Sequence, residues 1–357
     1  MRVVEFAGLG PAPFCAMMLA DMGAEVVRIQ RDAGPDVLGM EHDILLRGRH
    51  RLILDLKSEA GRGAALAILD RADAVVEGFR PGVMERLGLA PEVCLERNPR
   101  LVYGRMTGWG REGPLANAAG HDINFTALSG ALHAIGTAER PAIPLNLVAD
   151  LGGGGMLFAF GIVCGMLEAR RSGRGQVVDA AMVDGASLLM AMTYSFLNSG
   201  LWEDRRGVNL MDGGHPYYNV YATSDGKWIS IGPIEPQFFR VLLEKCGIEE
   251  PFRQPVPPAE YPRLRAALER TFAAKTRDEW CAILEGTDAC FAPVLSLSEA
   301  PHHPQNRARG TFVELDGFLQ PGAAPRFGRS TVAARSSRDD GQELIRAWGV
   351  DLAADPV

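Results

Sequence analysis

Short apolar runs recur along the first half of the chain, separated by segments with helical spacing. Arg2-Val3-Val4-Glu5-Phe6 predicts a strand, residues 7–13 a turn, and residues 14–22 a helix closed by Gly23. Residues 25–31 predict a second strand, and strand, helix, strand in that order imply a parallel pair. The rhythm continues. Residues 51–56 predict a strand, and Ser58 caps a helix of roughly 12 residues with Glu59 in its first turn. Residues 74–77 and 101–106 predict two more strands, the latter running into Gly108-Trp109-Gly110. Beyond Gly155 an apolar helix runs to about residue 169, then a strand covers 177–179 and a further helix 181–195.

The character changes after residue 199, where Gly, Asp, Asn and Arg dominate up to Pro216. This predicts a linker over 196–216. Residues 217–221 and 227–231 predict a hairpin around Ser224-Asp225-Gly226, with helices at 236–246, 261–273, 277–285 and 339–348. The expected fold is α/β. A large Rossmann-like parallel-sheet domain covers 1–195 and a smaller α+β domain covers 217–312.

With 47% apolar and 23% charged residues over 357 positions, the chain has the makeup of an ordered globular protein. A net charge of −7 argues against a nucleic-acid partner. An anionic ligand would need a local basic cluster. Arg47, Arg49 and Arg51 with His50 form one, and Arg31, Lys57, Arg80 and Arg86 fall in turns next to strands, where α/β sheets collect ligands. A set of solvated surface charges is the alternative. Dinucleotide binding is disfavoured, because Pro13 stands where the third glycine of G-x-G-x-x-G belongs and Arg31 where a ribose-binding acid belongs. Six cysteines without a C-x-x-C pair predict reduced thiols in a cytoplasmic protein, and no paired ligands recur to hold a metal. The uncharged run Leu151–Leu167 carries six glycines and predicts a buried helix rather than membrane insertion.

The stretch from Gly120 to Gly155 holds the chemistry. His121 and Asp150 stand 29 residues apart at the edges of two apolar segments. Taken singly, His121 reads as a loop histidine and Asp150 as a helix N-cap. Taken together they can carry protons in opposite directions, provided that desolvation lifts the carboxyl. Gly152–Gly155 either expose backbone N–H groups to a developing oxyanion at a helix start or allow close helix packing.

Several segments in order resemble CoA-transferase family III. They are Val3-Val4-Glu5 with Gly10-Pro11, Leu19–Val27, Leu54-Asp55-Leu56-Lys57, Glu77–Val83, Gly173–Asp179, Asp212-Gly213-Gly214, Ile234–Phe239 and Gly286–Cys290. The resemblance covers nearly the whole chain. Within the family, His121-Asp122-Ile123-Asn124 and Glu235 resemble the α-methylacyl-CoA racemase branch, whereas transferases typically carry an aromatic residue in place of His121. Phe125 departs from the pattern, since tyrosine is commoner there. The resemblance implies an acyl-CoA substrate, no cofactor or metal, and His121 and Asp150 as the two acid/base groups, with Glu235 fixing the His121 tautomer. It implies CoA contacts from Arg31, Arg47, Leu54, Lys57, Glu77, Arg80, Arg86, Asp122 and Phe125. It also implies an interlocked homodimer in which residues 313–357 return to the large domain. The transferase alternative makes Asp150 an acyl-accepting nucleophile.

Overall fold

The computed structural model describes residues 1–32, 39–40, 42–249 and 251–352. Contacts divide the chain into two compact units. The first comprises Met1–Ala131, Pro144–Ala191 and Arg307–Val357, and the second Leu132–Ile143 and Met192–Asn306.

The first unit is built on a six-stranded parallel sheet. Its strands are β1 (Arg2–Phe6), β2 (Glu25–Gln30), β3 (Arg49–Ile53), β4 (Ala74–Glu77), β5 (Val102–Thr107) and β6 (Val177–Ala181), in the order β3-β2-β1-β4-β5-β6. Strands covered on both faces need apolar residues on both, which is why β1, β2 and β4 each carry a buried Val-Val pair. Val4, Val27, Ile29 and Val75 pack to one side with Ile68, Ile345 and Trp348. Val3, Val26, Val76 and Val102 pack to the other with Cys15, Phe158 and Ile162.

Helix α1 (Pro11–Asp21) begins three positions before the expected residue 14. Pro11 and Pro13 sit in the first turn, where a missing N–H leaves no bond unmade. Strand β3 covers 49–53 rather than 51–56 because Asp55 turns the chain, accepting the Lys57 N–H at 2.9 Å. Ser58 then caps α2 (Glu59–Leu69), its hydroxyl accepting from the Gly61 N–H at 2.9 Å.

The expected helix after Gly155 starts earlier. Leu147–Met156 winds as a π-helix and continues into the α-helix Leu157–Ser172. The four glycines therefore lie inside a helix and not at its start, and their N–H groups belong to its own ladder. A Cβ on Gly153 would come within 2.5 Å of the Ala186 nitrogen, and one on Gly155 within 2.6 Å of the Phe14 ring. Close packing is their use. The run Leu147–Ser172 is long and apolar enough to cross a membrane, with a mean hydropathy of 1.8. It is not wholly buried as expected. One face packs on β5, β6 and α1, while Met156, Phe160, Val163 and Leu167 remain exposed along the other. The predicted helix over 181–195 is two helices, Met182–Leu189 and Ala191–Asn198. A hairpin, β10 (Phe312–Leu315) with β11 (Phe318–Pro321), and the helix Gly341–Ala347 complete this unit.

The second unit holds the antiparallel sheet β7 (Asn219–Ala222), β8 (Trp228–Ile231) and β9 (Phe291–Val294). The hairpin matches its expectation, and β9 was not expected because its Phe-Ala-Pro-Val is too short to show alternation. Helices Pro236–Cys246, Tyr261–Phe272 and Arg277–Leu284 bury Phe239, Leu264, Phe272 and Trp280. The segment 199–216 is ordered within this unit. The Asp212 carboxylate accepts the N–H groups of Gly207, Asn209 and Gly214 at 2.9, 2.8 and 3.0 Å.

Gly185 and Gly63 give opposite expectations. A Cβ on Gly185 would stand 1.8 Å from the Gly153 carbonyl oxygen, whereas Gly63, in the middle of α2, has open space around it. Gly185→Ala should cost about 3 kcal/mol or more in chemical denaturation. Gly63→Ala should stabilise by ~0.5–1 kcal/mol.

Candidate active site

In a parallel sheet, ligands gather beyond the strand C-termini where the strand order reverses. Here the reversal lies between β1 and β4, and a cleft of about 250 Å³ opens at that point. Leu9 comes from the loop after β1, Pro11 from the start of α1, Arg80 from the loop after β4, and Trp109 from the turn after β5. His121 and Phe125 complete the wall.

His121 is exposed, in extended backbone (φ −132°), at the N-cap of the short helix Asp122–Leu128. Asn124 Oδ1 accepts the His121 backbone N–H at 3.1 Å. The approach is set by Gly120, whose missing Cβ would otherwise meet Phe125 at 2.8 Å and Trp109 at 2.9 Å. Those two rings meet edge to face, with centroids 4.6 Å apart.

Asp150 lies in the first turn of the π-helix and is half-buried. Its Oδ2 is 3.7 Å from where a Cβ on Gly10 would stand, between the two cleft residues Leu9 and Pro11. Burial pushes its carboxyl up to about 6, and the Asp122 carboxylate adds to the rise. The neighbouring His121 and a hydrogen bond from Asn146 oppose it. The result is a carboxyl that exchanges its proton in the range where an imidazole does.

Asp122 is bound into the protein rather than free for a ligand. It is 5% exposed, and its oxygens accept the N–H groups of Ala149 and Asp150 and the Thr126 hydroxyl at 2.8, 2.7 and 2.9 Å. A first-turn aspartate ordinarily serves its own helix, so the sequence carries no local signal of this tie.

The expected ligand contacts divide in two. Arg31, Lys57, Arg80 and Arg86 are exposed. Arg47 is buried, held to Asp21 at 2.5 Å and to Gln320 at 3.0 Å. Arg49 is buried against Glu5, while Arg51 and His50 pair with Asp339 and Asp340. The cluster at 47–51 is therefore neutralised internally. Glu77 is 1% exposed and bound to Arg105 at 3.0 Å, and burial pushes its carboxyl up while the Phe79 N–H and Arg105 oppose this. Leu54 is core, and Phe125 lines the cleft while buried against Trp109. The side chains of Arg47, Leu54, Glu77 and Asp122, expected as ligand contacts, are buried. Glu235 belongs to the second unit. It is exposed at the N-cap of Pro236–Cys246, without a capping bond from its side chain; burial pushes the Cys290 thiol up, and the nearby Glu235 charge adds to the rise.

Proton affinity at Asp150 gives a stability signature. The raised carboxyl favours the folded state while protonated, fully below the ordinary value of 3.8, and this contribution is lost as pH rises through about 6. Asp150→Asn, which carries no charge, should be more stable than the parent by about 1 kcal/mol at pH 8, allowing for partial exposure. The gain should vanish towards pH 4 when melting temperatures are followed across pH.

The sequence and the fold both have known relatives. The chain is 45% identical to a mouse protein named alpha-methylacyl-CoA racemase, over 98% of this chain and 92% of that one. It is 44% identical to the human protein of the same name, over 88% and 81%. A crystal structure of a CAIB/BAIF family protein from Brucella suis superposes with a TM-score of 0.80 at 26% identity, covering 98% of both chains. The sequence profile of CoA-transferase family III matches residues 1–338, and the chain belongs to that family.

Proposed function

We propose that this protein is an α-methylacyl-CoA racemase. It inverts the carbon next to the thioester of 2-methyl-branched acyl-CoA by 1,1-proton transfer. The observation that carries the site assignment is the half-buried Asp150, whose carboxyl holds its proton up to about 6, in electrostatic reach of His121 beside the cleft. Inversion needs one group to remove the α-proton from one face and another to return a proton to the opposite face. His121 and Asp150 fill these roles, exchanging them for the two enantiomers. The thioester stabilises the enolate by delocalisation, so the reaction draws on proton carriers alone and needs neither cofactor nor metal. Arg31, Lys57, Arg80 and Arg86 are the exposed cations suited to the phosphates of CoA.

A homodimer fits the same scheme. Met156, Phe160, Val163 and Leu167 form an apolar stripe at helical spacing, between 47% and 71% exposed, of the kind that a second copy covers. In such a dimer Glu235 of one subunit would accept the ring N–H of His121 in the other and fix its tautomer. Six free thiols suit a reducing compartment such as the cytoplasm.

One enantiomer of a 2-methylacyl-CoA, incubated in deuterated water without another acyl acceptor, should take up α-deuterium while its optical purity decays. His121→Ala and Asp150→Ala should each lower this rate by about 100-fold or more. Retention of the α-proton, with CoA moving only after a free carboxylate is added, would make Asp150 a nucleophile instead. Phe160→Glu should convert the dimer to a monomer in analytical ultracentrifugation.

A further inference from the structure

The carboxylate of Asp122 is the best-anchored polar group near the cleft, and the proton-transfer scheme leaves it without a task. Its orientation is unusual. An aspartate in a helix's first turn ordinarily faces the N–H groups of its own helix. This one reaches out of its helix to the neighbouring helical stretch, where Oδ2 accepts both the Ala149 and Asp150 N–H groups. Those donors lie in the first turn of the π-helix, where no earlier carbonyl serves them. Thr126, fully buried, holds Oδ1 through its hydroxyl. The anchor thus ties the helix that carries His121 to the backbone that carries Asp150.

We infer that Asp122 is a positioning residue of the racemase reaction, fixing the Asp150 backbone and setting a buried carboxylate beside its carboxyl. This rests on the function proposed above. Two carboxylates so placed cannot both ionise freely, and burial of Asp122 keeps its charge from being screened. The other groups around Asp150 are few. His121 opposes the effect, and Asn146 donates a hydrogen bond. The helix Met182–Leu189 carries the exposed Asp184. Helix α1 carries Cys15 and Asp21, the latter paired with Arg47. The helix Leu157–Ser172 carries Cys164, Glu168, Arg170 and Arg171 in its later turns.

The benefit is balance. A racemase works from the form in which His121 and Asp150 share one proton. With the proton on His121, Asp150 is the base for one enantiomer. With the proton on Asp150, His121 is the base for the other. An ordinary, strongly acidic aspartate would leave the second arrangement scarce. The charge of Asp122 and the burial of Asp150 act in the same direction to populate it.

Asp122→Asn tests the charge with little change of shape. The amide oxygen can accept both backbone N–H groups, and the amide nitrogen can donate to the Thr126 hydroxyl. Two readouts apply: ¹³C titration of the Asp150 carboxyl, and the pH profile of kcat/KM for α-deuterium exchange. In the variant the Asp150 midpoint should fall by about half a pH unit or more, and the acid limb should move down with it. The kcat should fall about 10-fold, with KM within about twofold. Asp122→Ala, which also frees the two N–H groups, should lose about 100-fold in kcat. A titration and an acid limb that superimpose on the parent's would overturn the inference. The parent protein offers a test that no variant's folding can obscure. The Asp122 ¹³C signal should inflect where Asp150 titrates, and its absence would likewise overturn the inference. If the parent exchanges no α-deuterium, the proposed reaction fails, whereas the carboxyl titrations still decide whether Asp122 governs Asp150.

Discussion

Backbone meets backbone where the helix Leu147–Ser172 crosses the start of Met182–Leu189, and that approach sets everything around the cleft. Gly153 and Gly185 face each other with no room for a side chain on either. Gly154 and Gly155 bring the same stretch against Pro11 and Phe14 of α1. Asp150 sits one turn upstream, so its position is fixed by three packed helices rather than by a loop. A carboxyl held that firmly can be half-dried without turning out into water, and its raised proton affinity depends on that. The π winding of residues 147–156 belongs to the same constraint. It is a costly local geometry, of the kind that persists where packing over-determines it.

The sheet handles charge differently from the cleft. Glu5 is partnered across strands with Arg28 and joined by Arg49, and Glu77 is partnered with Arg105 in the next pair. Every one of these side chains is buried. Removing one partner would strand the other in a dry interior, at a cost of about 3–5 kcal/mol. These pairs read in sequence as basic and acidic residues near strand ends, and they resemble ligand-binding loops until burial is known. Arg31, Lys57, Arg80 and Arg86 have the same composition and a different fate, because they lie past the strand ends, where the interior stops.

That distinction marks what could be read from the chain and what could not. Strands β1, β2 and β4 were legible because burial on both faces demands adjacent apolar residues such as their Val-Val pairs. Ser58, Gly23 and Gly173 were legible because capping is local chemistry. His121 and Asp150 stood out through the order of motifs around them, not through their spacing. The ion pairs of Arg47 and Glu77 were not legible, because their partners, Asp21 and Arg105, lie far away in sequence and meet them only across the fold. The tie from Asp122 to Ala149 and Asp150 was not legible either. Nothing local distinguishes an aspartate that caps its own helix from one that bonds the backbone of another. The glycines at 152–155 left two uses open, and only the neighbouring backbone could decide between them.

The division of the chain has a consequence for its synthesis. The first unit is encoded in three pieces, with most of the second inserted between the second and third. Its last piece supplies Ile345 and Trp348 to the core against β2 and β3, and Trp348 donates to Glu25 at 2.9 Å. A ribosome therefore releases the whole central sheet long before the helix that covers one of its faces. Until then Val27, Ile29 and Leu52 lack part of their cover. The inserted unit, whose core needs nothing beyond residue 306, can fold while the sheet still waits. The protein should therefore depend most on chaperones during the interval in which its larger half is already made but not yet closed.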